Sequence, residues 1–340
     1  MNVRPWLSAV SLGIWLAGAA LAQPESVIRV DVNLVRILAT VKDPSGQLIG
    51  TLSKNDFTIA DNGAPQEVAV FEHHTDQPLS IALLLDTSGS TAKELKYETD
   101  SVARFLKALL GEGNPDDAVE FLTFNYRIVR ENNFTHNLLS IERNLKNLKG
   151  EAGTCMYDAI FWAARDLESR QGRKVIVMVT DGGDTTSVHD FHAAVSQAQL
   201  ADAVIYPVLV VPIPNEAGRN VGGENALTTM AQWTGGRVFA PTVGAALDQA
   251  FADIIRELRT QYLLAFYPKN VPLTKDKFHR LDIKVKRPDL RVTARNGYYG
   301  ESEAKSGDSR IPAAPEQGTR RKSDSQTRRQ ERFTGSRDDF

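Results

Sequence analysis

The spacing of apolar and polar residues divides the chain into segments of different character. From Val27 to Phe71, apolar and polar residues alternate in "VIRVDVNLVRILATVKD" and "EVAVFE". This period of two is typical of half-buried β-strands. "DPSGQ" and "DNGAP" are turn signals between the strands. We therefore predict a short β segment at this end of the chain.

Between Gln77 and Gln261 the apolar runs no longer alternate and are separated by amphipathic stretches. The runs are "LSIALLLD", "DAVEFLTF", "KVIVMVTD" and "AVIYPVLVV". Helices are predicted near Ala92–Leu110, Leu138–Leu148, Tyr157–Ser169, Phe191–Leu200 and Gly244–Arg259. Wholly apolar strands that alternate with helices indicate a parallel sheet covered on both faces. The pattern predicts a doubly wound, mostly parallel α/β domain with right-handed crossovers.

After Arg259 the strand pattern returns in "QYLLAFYP", "FHRLDIKVK" and "LRVTARNGYYG". We interpret these as three strands. Neither β segment has enough strands to be stable alone. We therefore expect the N-terminal and C-terminal strands to combine into one small β domain, with the α/β domain inserted between them.

Both ends of the chain differ from the folded part. Arg4, the apolar run Trp6–Ala20 and the small residues of Ala20-Leu21-Ala22 predict a cleaved signal peptide, with the mature chain starting near Gln23. The run is shorter than the roughly 20 residues of a membrane-spanning helix. From Glu301 onward the chain is polar and poor in large apolar residues, which predicts a disordered tail. Its basic stretch "RRKSDSQTRRQER" could contact anionic surfaces, but a solvated tail is favoured.

These patterns give a predicted domain plan. It comprises a signal peptide (1–22), a β segment (23–76), the α/β domain (77–260), the completing β strands (261–300) and the tail (301–340). We expect an exported protein, periplasmic or secreted after cleavage, without stable membrane insertion. A net charge of −2 over 340 residues gives no general attraction to nucleic acid. Cys155 is the only cysteine, so no internal disulfide can form, and we expect a buried thiol.

Polar side chains follow two of the predicted central strands. One strand ends at Asp86 and another at Asp181, and ligands of open parallel sheets bind at the carboxyl ends of the strands. Ser88 and Ser90 follow the first aspartate, and "EAGTC" adds Thr154. This all-oxygen set suits a hard divalent cation, Mg²⁺ above all, with Mn²⁺ or Ca²⁺ as alternatives. Zinc prefers histidine or cysteine, and neither is among these five residues.

The same residues carry a resemblance to a known family. "DTSGS", the threonine of "GTC" and the aspartate of "VTDGGD" resemble the metal-ion-dependent adhesion site of von Willebrand factor A-type domains, over about Gln77 to Arg259. The D-x-S-x-S motif alone is common by chance, but the order and spacing of Thr154 and Asp181 make the match specific. The flanking "DF…DNG…Q" and "GYY" resemble a group of exported bacterial proteins related to this family.

The resemblance implies a role for each residue of the site. Ser88 and Ser90 would bind the metal through their hydroxyls. Thr154 would bind it directly in the ligand-competent state and through water otherwise. Asp86 and Asp181 would hold it mainly through water.

The resemblance also implies a function. The metal would coordinate an aspartate or glutamate of a partner protein, so the chain would be a non-enzymatic adhesion or binding module. One alternative is an assembly scaffold with a structural metal and the partner bound elsewhere. Another is a metal-dependent hydrolase, which is disfavoured because no nucleophile elbow, phosphate loop or adjacent general base is visible. In some relatives the last helix of the domain shifts, and coupling of Gly244–Arg259 to the following β strands is a hypothesis.

Four further polar residues lie near this motif in the sequence. Asp184 could support a second ion, but capping of the next turn is the favoured interpretation. Asp158 is expected to stabilise a helix N-terminus rather than hold water for a metal. His189 and His192 could share a face, but solvent exposure is expected.

Overall fold

The structure is a computed structural model that describes residues 34–300, except 74–76, 90, 92–94, 112, 211–219, 243 and 272–276. The predicted signal peptide, the predicted tail and Ser90 of the predicted metal site lie outside the described residues. No described helix is long and apolar enough to cross a membrane.

The described part of the N-terminal segment forms short strands, as its alternating pattern predicts. They are β1 (Val35–Lys42), β2 (Phe57–Asp61), β3 (Ala64–Gln66) and β4 (Val70–His73). One 3-10 turn, Lys54–Asp56, precedes β2. Asn62 and Gly63 both have positive φ, 47° and 82°, and make the tight turn between β2 and β3 that "DNG" predicts.

The central segment is an α/β domain, as predicted. Its elements are β5 (Leu79–Asp86), α1 (Leu95–Gly111), β6 (Ala118–Phe124), β7 (Ile128–Thr135), α2 (Leu138–Leu145), α3 (Met156–Glu168), β8 (Arg173–Thr180), α4 (Phe191–Leu200), β9 (Ala203–Leu209), α5 (Val221–Thr234) and α6 (Ala245–Thr260). The strands form one sheet in the order β7-β6-β5-β8-β9, in which only β7 is antiparallel to its neighbour. Strand order therefore reverses at β5, whose eight residues are all buried.

The two faces of the central sheet pack against separate groups of helices. Leu83 of β5 lies in a core with Phe105 of α1 and Phe251 of α6, whose rings stack with centroids 4.8 Å apart. On the other face, Leu84 lies in a core with Ile160 of α3 and residues of α4 and α5. Burial on both faces explains why these strands are apolar throughout.

The C-terminal strands complete the β domain with the N-terminal ones. They are β10 (Tyr262–Phe266), β11 (Phe278–Val285), β12 (Arg291–Thr293) and β13 (Gly297–Tyr299). The described strands form two four-stranded sheets, in the orders β12-β1-β10-β4 and β13-β11-β2-β3. β1 pairs with β10 and β2 with β11, both antiparallel, so the predicted joining of the two segments is confirmed. The two sheets share one core that includes Ile37, Ile59 and Tyr262.

Three elements differ from the sequence prediction. α5 was not predicted, because "VGGENALTTMAQWT" begins with two glycines and has a narrow apolar face. β7 was not predicted, because "IVRENNFT" is a mostly polar edge strand whose residues are only partly buried. The predicted single strand "LRVTARNGYYG" is wrong: β12 and β13 are separate and belong to different sheets. The chain turns between them at Ala294–Asn296, where a bridge pairs Arg295 with Thr234.

Candidate functional site

The two aspartates that end predicted strands lie at the same edge of the central sheet. β5 and β8 are parallel neighbours, with Leu85 opposite Val179. The carboxyl ends of both strands therefore meet at the point where strand order reverses, as predicted. Thr180, the last residue of β8, donates a hydrogen bond of 2.6 Å from its hydroxyl to Asp86 Oδ2. This contact links the two strand ends directly.

Asp86 is fully buried, and its carboxylate is held from two sides. Its Oδ1 accepts a hydrogen bond of 2.8 Å from the backbone N–H of Ser88, and its Oδ2 accepts the one from Thr180. Burial and, to a smaller extent, the nearby charge of Asp181 raise the pKa of Asp86 to about 6, although the hydrogen bonds from Thr180 and Ser88 oppose this. The carboxylate is therefore fixed in orientation but costly to ionise without a nearby cation.

The turn after Asp86 is held by hydrogen bonds of Thr91. The Thr91 hydroxyl donates to the carbonyl oxygens of Asp86, at 3.1 Å, and Ser88, at 3.0 Å. The carbonyl of Thr87 accepts from the N–H of Glu151 at 2.9 Å, which ties this turn to the loop that precedes Thr154. Ser88 is buried within this turn.

Thr154 is anchored to the loop that follows Asp181. Its N–H donates to Thr185 Oγ1 at 3.0 Å, and its carbonyl accepts from the N–H of Thr185 at 2.7 Å. Gly153 before it has a φ of +85°, and a Cβ there would approach Tyr126 Cβ to 2.9 Å. A glycine is therefore required for this loop to lie against Tyr126.

The side chains of Thr154 and Asp181 come together beside Gly183. A Cβ placed on Gly183 would lie 3.3 Å from Asp181 Oδ1 and 3.8 Å from Thr154 Oγ1. Gly183 also donates its N–H to Asp181 Oδ1 at 3.1 Å. Of the five predicted site residues, the structure thus brings Asp86 and Ser88 together on one strand end, and Thr154 and Asp181 beside the adjoining one.

Sequence reasoning missed two residues of this edge. Thr180 orients Asp86, and its hydroxyl directly before Asp181 was an available signal. Asn220 caps α5, because its Oδ1 accepts from the N–H of Gly223 at 2.9 Å. Its Nδ2 lies 3.9 Å from the same Cβ position on Gly183. It was missed because α5 was not predicted.

The N-terminus of α5 packs closely against the loop that contains Asp181. A Cβ on Gly223 would lie 1.6 Å from the carbonyl oxygen of Gly182. Gly182 itself has a φ of +88°. The glycines of "DGGD" and "VGGEN" thus allow two backbones to touch. This contact places Asn220 and the positive end of the α5 dipole beside the candidate site.

Two nearby acids serve the local structure. Asp184 Oδ1 accepts from the N–H of Tyr157, at the start of α3, and from the hydroxyl of Ser187, which supports the capping interpretation. Asp158 accepts from the N–H groups of Val188 and His189, at 2.9 Å and 2.8 Å. It therefore holds the loop after Asp181 as well as lying in the first turn of α3.

The expected solvent exposure of His189 is wrong. Its side chain is half-buried, its Nδ1 lies 2.6 Å from Asp158 Oδ1, and its ring stacks on Phe161 with centroids 3.8 Å apart. His192 is exposed, as expected. Cys155 is buried as predicted, and burial raises the pKa of its thiol to about 12, which leaves it unreactive.

The residues at this edge fit a hard divalent cation by their chemistry. Asp86 and Asp181 form no ion pair with Lys, Arg or His among the described residues, so two neighbouring carboxylates lack a protein counter-charge there. The hydroxyls of Ser88 and Thr154 are neutral oxygen donors of the kind that Mg²⁺ accepts. No group of three or more His, Cys, Asp or Glu residues in the described ranges could hold a metal, so the fit depends on these hydroxyls.

Residues 81–183, which carry Asp86, Ser88, Thr154 and Asp181, match the family model of the von Willebrand factor type A domain. This part of the chain is therefore similar to a von Willebrand factor type A domain. The match covers β5 to the loop after β8 and hence both strand ends. Domains of this family generally mediate protein–protein interactions.

Solved structures are similar to about half of this chain. An aerotolerance-related membrane protein from Bacteroides fragilis is 19% identical, with a TM-score of 0.43 over 53% of this chain and 98% of that one. The von Willebrand factor domain of the type V pili tip protein Mfa5 from Porphyromonas gingivalis is 14% identical, with a TM-score of 0.46 over 54% and 96%. No curated protein matches the chain significantly.

Proposed function

We propose that this chain is a non-enzymatic binding protein whose von Willebrand factor type A domain uses a divalent cation to bind an acidic group of a partner protein. The observation that carries the proposal is the meeting of β5 and β8 at one edge, where Thr180 joins Asp86 and where Thr154 and Asp181 flank Gly183. Two carboxylates and neutral hydroxyls converge there from segments far apart in sequence.

The residues that would hold the metal follow from their chemistry and the family resemblance. The hydroxyls of Ser88, Ser90 and Thr154 would bind the ion, and Asp86 and Asp181 would hold it mainly through water. Mg²⁺ is the favoured ion, with Mn²⁺ or Ca²⁺ as alternatives. When bound, the cation supplies a positive charge that a partner's aspartate or glutamate carboxylate can coordinate. Neutral hydroxyl ligands leave more of that charge for the partner than carboxylate ligands would.

Exposed apolar side chains at the same edge support partner docking. Four large ones are each at least half exposed and lie where chain segments leave the carboxyl ends of strands: Tyr97, Tyr126, Val188 and Val221. Exposed apolar side chains that lie close together mark protein-binding surfaces, and tyrosine is enriched in them. Tyr126 is further held by Arg127, whose guanidinium lies 5.3 Å from the ring centroid and 3.8 Å from Glu151.

We also propose that the protein acts outside the cytoplasm, in the periplasm or after secretion. The predicted signal peptide supports this location. The proposed partner is accordingly a protein of the cell envelope or exterior that presents an acidic side chain. No stable membrane insertion is proposed.

A pull-down from the envelope and extracellular fractions tests the proposal. The bait is the mature chain, in Mg²⁺ or in EDTA, beside the variants Asp86→Ala and Asp116→Ala. Asp116 is an exposed aspartate in the loop before β6 and serves as the matched control. We expect capture by the wild type and Asp116→Ala in Mg²⁺, and loss of capture in EDTA or with Asp86→Ala.

Each alternative function predicts a different result. Capture that survives EDTA and Asp86→Ala would contradict the proposal and favour a scaffold whose partner binds elsewhere. Turnover of generic phosphate or ester substrates that is lost with Ser88→Ala would favour a hydrolase.

A further inference from the structure

A cavity of about 30 Å³ lies at the edge of the central sheet opposite to the candidate metal site. The first residues of β8 and β9 line it, namely Arg173, Lys174 and Ala203. The β domain contributes Arg36 of β1 and Arg295 from the turn between β12 and β13. Because β8 runs from Arg173 to Thr180, the cavity and the metal site lie at its two ends. The cavity is therefore located where the α/β domain meets the β domain.

The lining of this cavity is strongly cationic. Among the described residues that line it, Arg36, Arg173, Lys174 and Arg295 carry positive charge, and Asp202 is the one carboxylate. Asp202 Oδ1 lies 2.5 Å from Arg295 Nη1. This pair neutralises one of the four cations and leaves an excess of three positive charges.

The remaining cations contact neutral acceptors. Arg36 Nη2 donates to the amide oxygen of Gln77 at 2.6 Å. Lys174 Nζ donates to the backbone carbonyl of Glu168 at 2.8 Å, and Arg173 Nη1 donates to the carbonyl of Leu258. Within the described part of the chain none of the three forms an ion pair. The carbonyl and amide oxygens satisfy donors but do not balance the charge.

Two of the guanidinium groups are buried and retain an unused donor. Arg173 is 4% exposed and Arg295 is 8% exposed, and the Nε of each has no hydrogen-bond partner among the described residues. Arg295 is paired with Asp202, whereas Arg173 is near the charge of Asp117 but forms no ion pair among the described residues. A buried guanidinium without an ion pair is strongly unfavourable. Both groups line the same cavity, so one anion bound there could accept hydrogen bonds from both.

We propose that this cavity binds a small inorganic monoanion of the size of chloride. A volume of about 30 Å³ exceeds the roughly 10–15 Å³ that one water molecule needs, so a chloride ion has room in the cavity. The anion would accept hydrogen bonds from Arg173 and Lys174 of the α/β domain and from Arg36 and Arg295 of the β segments. It would thus stabilise the junction of the two domains, independently of the metal site and of the proposed function.

Bromide gives a direct test, because it replaces chloride and scatters X-rays anomalously. Crystals of the mature wild-type chain are grown with sodium bromide in place of sodium chloride. We expect an anomalous difference peak in the cavity, next to the guanidinium groups of Arg173 and Arg295. Ordered water without an anomalous peak in the cavity, or bromide peaks only on the outer surface, would overturn the proposal.

Thermal unfolding tests the consequence in solution. The protein is unfolded in a series of buffers of constant ionic strength in which chloride replaces gluconate. Gluconate is the reference anion because it is too large for the cavity. The unfolding midpoint of the wild type should rise by ~2–4 °C between trace and 100 mM chloride, as expected for specific ligand binding to the folded state. Arg36→Gln and Arg295→Gln should lose this rise. Arg291→Gln, an exposed arginine of β12, is the matched control and should keep it.

The unfolding midpoints of the variants and of the wild type distinguish anion binding in the cavity from other effects of salt. If Arg295→Gln does not fold, Arg36→Gln provides the comparison. It removes a cation of the same cavity without breaking an ion pair. An equal rise in all folded variants would show a general salt effect and contradict the proposal. A bromide peak without a chloride-dependent rise in the wild type would identify an adventitious ion only, and would contradict it as well.

Discussion

The hydroxyl of Thr180 lies 2.6 Å from Asp86 Oδ2 and donates a hydrogen bond to it across two neighbouring strands. The same hydroxyl accepts from the N–H of Gly182 at 3.1 Å. Thr180 therefore connects the end of β5, which Ser88 follows, to the loop that contains Asp181. The position of one residue thus fixes the relation between the two halves of the candidate metal site.

Removing this hydroxyl should weaken both stability and metal binding. In Thr180→Val the Asp86 carboxylate keeps its burial but loses a donor, which should lower the free energy of unfolding by about 1–3 kcal/mol. Loss of the orienting bond should lower the affinity for Mg²⁺ by roughly 10–100-fold. Urea denaturation and calorimetric titration measure the two effects. Thr58→Val, at an exposed position of β2, is the control, and an unchanged affinity in Thr180→Val would count against the orienting role.

Tyr126 should contribute to partner binding without contributing to metal binding. Its exposed ring lies beside Gly153 and under the guanidinium of Arg127, at the rim of the candidate site. Tyr126→Ala should reduce partner affinity by about 1–2 kcal/mol, the range of an aromatic interface residue, and leave Mg²⁺ affinity unchanged. Tyr267→Ala, an exposed tyrosine after β10, is the control. Equal partner affinity in Tyr126→Ala and the control would place the docking surface elsewhere.

Glu257 should be important for the junction between α6 and the β domain. It is buried in α6 and forms ion pairs with Lys42 of β1 and with Arg237, whose Nε lies 2.5 Å away. Glu257→Gln should lower the free energy of unfolding by about 2 kcal/mol, since both cations are partly exposed and water compensates some of the loss. Glu67→Gln, an exposed glutamate, is the control in urea denaturation.

The same variant tests the hypothesis that α6 couples the metal site to the β domain. α6 runs into β10 with only Gln261 between them. If the helix couples the two, Glu257→Gln should also change partner affinity in Mg²⁺. An affinity equal to that of Glu67→Gln would argue against coupling through α6.

Glu120 should make stability depend on pH. Burial and, to a smaller extent, the charge of nearby Asp166 raise its pKa to about 8, although Arg130 opposes both. Because the pKa is higher in the folded state than in the unfolded chain, this contribution to stability is fully present below the unfolded pKa. It is lost as the pH rises through about 8. Thermal unfolding between pH 5 and pH 9 should therefore show a steeper loss in the wild type than in Glu120→Gln. Identical slopes would contradict the assignment, and Glu67→Gln should follow the wild type.

Much of the fold could be predicted because its central strands are buried on both faces. The bounds of β5 and α4 agree with their predicted segments, "LSIALLLD" and Phe191–Leu200. Burial forces these residues to be apolar, so the pattern is clear. β7 and α5 were missed because they lie at the edge or begin with glycines, where burial imposes little pattern.

The site could be predicted only in part, for a related physical reason. Strand-ending aspartates are visible in a sequence, and the structure places the ends of β5 and β8 side by side. Their orientation depends on contacts between distant segments, such as Thr185 with Thr154, which no local pattern reveals. His189 was expected to be exposed because its partner Asp158 lies 31 residues earlier.

The central claim is that a divalent cation binds at the ends of β5 and β8. Isothermal titration of Mg²⁺ into the metal-free mature chain, with Asp86→Ala and the control Asp116→Ala, tests it most directly. We predict one binding event in the wild type and in Asp116→Ala, and none in Asp86→Ala although it remains folded by circular dichroism. Equal Mg²⁺ binding by folded Asp86→Ala, or no binding of Mg²⁺, Mn²⁺ or Ca²⁺ by the wild type, would contradict the claim.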